Sequence, residues 1–157
     1  MIRISNKLST RISIILAVVF LAGCIIGLFV LPCITNMLIN VEDSIGNRDA
    51  ITQAGRIYIH VLAYAAVLDA ILADIMLIIL LMRVKNQLVF TDISVNLIRG
   101  VAWCCMLIGL IFGLLVIYFQ LALIVAFAAV FLGICLRVVK NVLEQATLIK
   151  SENDLTV

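Results

Sequence analysis

Val101–Leu136 reads VAWCCMLIGLIFGLLVIYFQLALIVAFAAVFLGICL, 36 residues without a charge. As one helix it would be about 54 Å long at ~1.5 Å per residue, against a hydrocarbon core of about 30 Å. The run must fold back on itself. Its most polar break is Tyr118-Phe119-Gln120, so a tight hairpin is expected there. A third helix then covers roughly 94–118 and a fourth roughly 121–142. The turn contains neither Gly nor Pro, the usual markers of a sharp reversal.

Two more apolar stretches lie upstream, over about 12–39 and 57–82. Pro32 falls inside the first and should kink it. The chain has 157 residues, 66% of them apolar and 13% charged, with a mean hydropathy of +1.31. A soluble domain of this size leaves much of its surface in water and cannot hide that much apolar area. The lipid bilayer removes the difficulty. The fold class that follows is an all-α integral membrane protein: one transmembrane domain over 1–157, a four-helix bundle, with 143–157 as a tail. A net charge of +2 argues against direct nucleic-acid binding.

Charge orients the bundle. Arg3, Lys7 and Arg11 precede the first span; Arg83, Lys85 and Arg99 flank the second connection; Arg137, Lys140 and Lys150 follow the fourth span. The first connection carries only Arg48 and Arg56, against Glu42, Asp43 and Asp49. Basic residues gather on the cytoplasmic side, which predicts both ends in the cytoplasm.

Cys24, Cys33, Cys104, Cys105 and Cys135 all sit in apolar runs without Cys-x-x-Cys spacing. They read as small apolar packing residues; no metal ligand set and no cofactor is expected. Leu21-Ala22-Gly23-Cys24 has the order of a lipoprotein-processing box. The apolar run continues past it to Leu31, so an uncleaved span is expected. There is no His-Glu-x-x-His, no Gly-x-Ser-x-Gly and no phosphate loop, hence no catalytic residue and no enzyme.

Small residues four apart let helix backbones approach in lipid. Such pairs are Gly23 and Gly27 in the first helix, Ala66 and Ala70 in the second, and Gly109 and Gly113 in the third. Ala122, Ala126, Ala129 and Gly133 form a stripe in the fourth. They read as intramolecular packing, with a homo-oligomer face in the third or fourth helix as the sharper alternative. The second helix also holds Asp69 and Asp74, about 140° apart at ~100° per residue. Ala63, Ala66, Ala70 and Ala73 fill the arc between them, while Tyr64, Leu68, Ile71, Leu72, Ile75, Ile78 and Ile79 lie opposite and should face lipid. The acids should therefore face the interior. Charged carboxylates within a bilayer are costly, so each is either a hydrogen-bonded structural acid or a proton or cation site. His60 and Trp103 are expected near the interfaces.

Thr91 is a plausible N-cap for the third helix, and Asp92 suits its positive end. The stretch Phe90-Thr91 … Val95-Asn96-Leu97-Ile98-Arg99 … Trp103, with the terminal Glu152-Asn153-Asp154-Leu155-Thr156-Val157, resembles a bacterial family of four-span membrane proteins, domain of unknown function 2975. The resemblance implies a location in the bacterial plasma membrane and no established catalytic residues. It also implies genomic company, a small helix-turn-helix regulator. A non-enzymatic membrane partner of such a regulator is the first functional expectation, with Arg99, Glu152, Asn153 and Asp154 as partner contacts. A small oligomeric transporter or channel using Asp69 and Asp74 is the second, and an immunity-type membrane protein the third.

Overall fold

The computed structural model describes residues 6–45, 51–86 and 91–154. Arg3, Arg48, Asp49, Phe90 and the terminal Leu155-Thr156-Val157 lie outside the described residues, as do the side chains of Lys7, Lys150, Glu152, Asn153 and Asp154. Four helices follow one another: α1 Asn6–Ile45, α2 Gln53–Lys85, α3 Asp92–Leu115 and α4 Ala122–Asp154. All four are long and apolar enough to cross a membrane.

Local chemistry sets their ends. Thr52 caps α2, its hydroxyl accepting from Gly55 N at 3.3 Å, and Arg83 and Lys85 complement the dipole in the last turn. Thr91 caps α3 and accepts from Ser94 N at 3.4 Å, with Asp92 in the first turn. Pro32 leaves α1 continuous. One turn on, the Thr35 hydroxyl donates to Leu31 O at 2.9 Å, with Pro32 O 3.2 Å away.

The fold-back falls at residues 116–121. It needs no glycine because short-range backbone bonds close it: Tyr118 N and Phe119 N donate to Leu115 O at 3.0 and 2.9 Å, and Ala122 N to Phe119 O at 3.0 Å. Satisfying the orphan groups of both helix ends is what a turn within an apolar run requires. α4 then runs beyond the expected 142 to Asp154, so the first part of the 143–157 tail is helix.

Each helix packs on the next one in sequence. α1 lies on α2, α2 on α3 and α3 on α4, and among the described residues the backbones of α1 and α4 make no close approach. The bundle is thus open between its first and last helices. One end carries the α1–α2 connection and the α3–α4 turn and is called here the loop end; the other, carrying both termini, is the terminal end. At the loop end Ile39, Ile59, Leu115 and Ala122 form a buried cluster, and the Tyr58 and Tyr118 rings lie 6.1 Å apart.

Small residues divide by what they meet. A Cβ on Gly109 would meet Val130 Cγ2 at 2.5 Å and Ala126 O at 3.3 Å; one on Gly133 would meet Met106 Sδ at 3.0 Å and Ala102 O at 3.3 Å. Ala122 and Ala126 are buried and Ala129 is half-buried, so the α4 stripe serves the α3–α4 contact. Ala66 is buried and Ala70 half-buried on α2. Gly23, Gly27 and Gly113 have nothing among the described residues within 4 Å of an added methyl position, so no close helix approach depends on their lacking a side chain.

The buried acids of the second helix as a candidate functional site

Most of the α2 faces fall as the spacing predicts: Tyr64, Leu68, Leu72, Ile75 and Ile79 are exposed and the alanine arc is covered, but Ile71 and Ile78, at the flanks of the expected lipid face, are half-buried. Asp74 is 4% exposed and within electrostatic reach of Cys24 on α1. Asp69 meets α3, where its carboxyl faces the Cys104 thiol. Oδ2 of each aspartate is buried without a hydrogen-bond partner. The group that faces the Asp69 carboxyl is a thiol, a weak donor. The α1–α2–α3 interior thus holds two carboxyls whose hydrogen-bonding capacity is not used up.

Register gives their depth. Gly55 lies against the Tyr118 ring, with Cε1 3.2 Å from a Cβ position, and Met76 reaches Gly100. Asp69 is therefore level with Cys104, next to Trp103, and Asp74 lies one turn nearer the terminal end. Over Trp103 sits the Arg137 guanidinium, 4.7 Å from the ring centroid, a cation–π contact suited to a membrane boundary. Both acids therefore sit toward the terminal end of the apolar slab. No group of three His, Cys, Asp or Glu among the described residues is arranged to hold a metal, and all five cysteines are free.

A second polar cluster occupies the loop end. Arg56 Nη2 donates to Asp43 Oδ2 at 2.7 Å, and Ile51 N to Asp43 Oδ1 at 3.0 Å. His60 Nδ1 lies 2.7 Å from Arg56 O and Nε2 2.9 Å from Thr35 Oγ1. A carbonyl only accepts, so Nδ1 carries a hydrogen. His60 is thus a tie between α1 and α2. Its role was hidden in the sequence because its partners stand 25 and 4 residues away on unmarked faces.

At the terminal end Lys140 Nζ donates to Glu144 Oε2, and Arg99 approaches Glu144 Oε1 at 3.7 Å. Arg99 thus joins α3 to α4 through Glu144, a residue the sequence reading did not single out. Glu152, Asn153 and Asp154 end α4.

No curated protein and no solved structure matches the chain. Residues 52–157 match the model of the family described as protein of unknown function (DUF2975), from the N-cap of α2 through α4. The match covers more than half of the chain, which belongs to that family.

Proposed function

We propose that the chain is a non-enzymatic, multi-pass protein of the bacterial plasma membrane, with both ends in the cytoplasm, that docks a small cytoplasmic helix-turn-helix regulator. The observation that carries this reading is the length of α4. The uncharged run ends at Leu136, yet the helix continues from Arg137 to Asp154, about 27 Å at ~1.5 Å per residue. Along this extension Val138, Val142, Leu148 and Ile149 are exposed. Apolar groups left uncovered beyond the lipid mark a contact surface, and the Arg99–Glu144–Lys140 cluster stiffens its base. The basic character of the terminal end supports the orientation.

The test is co-purification of the regulator with full-length protein and with a chain lacking 151–157, at low and high salt. The expected outcome is loss of the regulator on truncation, and weaker recovery of the full-length pair at high salt as charges are screened. Equal recovery with and without these residues sinks this docking site. Orientation is checked separately: reporters fused after Asn86 and after Val157 should read cytoplasmic, and one placed between Glu42 and Arg48 should read external. An external Val157 reporter removes the arrangement.

A second reading rests on the free Oδ2 atoms of Asp69 and Asp74. Intramembrane acids with unused bonding capacity are the usual substance of proton and cation pathways. Proton or sodium flux into liposomes that disappears in Asp69→Asn, with the fold retained, would place this reading first.

A further inference from the structure

The gap between α1 and α4 is a groove of about 550 Å³ in the loop-end half of the bundle, within the roughly 300–1,000 Å³ of small-molecule sites. All four helices line it. Leu31 and Leu38 of α1 and Val125 of α4 form the walls, and Ala63 of α2 and Phe112 of α3 the floor. Its polar lining includes Glu42 and Gln120, which stand at the loop end of α1 and in the α3–α4 turn. Neither side chain has a hydrogen bond or ion pair among the described residues: Asp43, the neighbour of Glu42, takes Arg56 instead.

The lining decides what kind of occupant fits. Leu31 to Glu42 spans about 16 Å of helix. The groove's lining is mostly apolar and opens sideways to the lipid, so the hydrocarbon tail of a membrane amphiphile is the occupant that its surroundings supply. Charge decides the head. The polar end holds a carboxylate and a carboxamide, so it favours a cation that also donates hydrogen bonds.

We infer that the groove between α1 and α4 binds a membrane amphiphile, its alkyl tail between Leu31 and Val125 and a primary ammonium head on Glu42 and Gln120. The amphiphile enters sideways, because the backbones of α1 and α4 stay apart among the described residues. This site is separate from the α4 extension and from the buried acids.

The test compares spin-labelled stearylamine with spin-labelled stearic acid in vesicles of zwitterionic lipid holding the full chain. The readout is the motionally restricted fraction of each probe. The overall charge of +2 favours the fatty acid, so it opposes the proposal. The expected result is an ammonium preference of about threefold, the scale of a half-exposed ion pair. Glu42→Gln should remove that preference, and Ala63→Phe, which fills the floor, should lower restriction of both probes. Val125→Phe blocks the groove from α4 and serves the same purpose if Ala63→Phe fails to fold. A wild-type preference for the acid, or none, overturns the inference. So does a preference that survives Glu42→Gln, or restriction unchanged in a folded groove-blocking variant.

Discussion

Gly109→Val should loosen the contact of α3 with α4 and destabilise the folded chain by about 2 kcal/mol, within the ~1–3 kcal/mol typical of overpacking. The cause is local and rigid. The first added carbon would meet Val130 Cγ2 at 2.5 Å, Ala126 O at 3.3 Å and Val130 N at 3.4 Å. A side chain can turn away; the two backbone atoms cannot. In lipid there is no hydrophobic drive to hold the helices together once their close approach is lost, because the tails are as apolar as the residues. Gly113 supplies the control: it is one turn along the same helix, and nothing lies within 4 Å of its Cβ position. Gly113→Val should change stability little. Reversible unfolding of the two variants in mixed micelles, followed by helical circular dichroism, measures the difference. Equal loss in both would show that β-branching within α3, not the α3–α4 contact, is responsible.

The second large effect has the opposite sign. Asp74→Leu should stabilise the fold by roughly 1–3 kcal/mol, the scale of an unsatisfied buried polar group. Asp74 is 4% exposed, and its Oδ2 has no partner. A leucine of similar length would fill the same space without a polar atom to satisfy. Asp69→Leu should gain less, because it also removes the contact with Cys104. The same unfolding assay ranks wild type, Asp69→Leu and Asp74→Leu. A less stable Asp74→Leu variant would mean that the acid holds the helices together. A more stable variant that loses regulator docking or ion flux would mark Asp74 as an acid retained for its function at the expense of stability.

Much of the architecture was legible in Val101–Leu136, because length without charge admits few solutions in a bilayer. The α2 faces followed from helical periodicity, and Thr91 from capping chemistry. Pairing was less legible. Gly109 and Gly113 are identical in local sequence terms, and only the approach of Val130 separates them. The extension of α4 was read as tail because the apolar pattern stops at Leu136; propensity and the Lys140–Glu144 pair carry the helix onward without it. The Thr35–His60 tie and the groove at Glu42 arise from residues far apart in the chain, and no spacing rule reports them.

The serial order of contacts has a consequence for how the chain is made. Among the described residues every close backbone approach joins a helix to one synthesised immediately before or after it. As each span leaves the ribosome, its only earlier neighbour is already in the membrane, and no early helix has to wait for a late one to complete its packing. Local contacts of this kind close short loops and shorten the search for the native arrangement. A nascent chain halted after α3 would already hold its final α1–α2 and α2–α3 interfaces, leaving the α3 face around Gly109 as the unfinished surface that α4 completes.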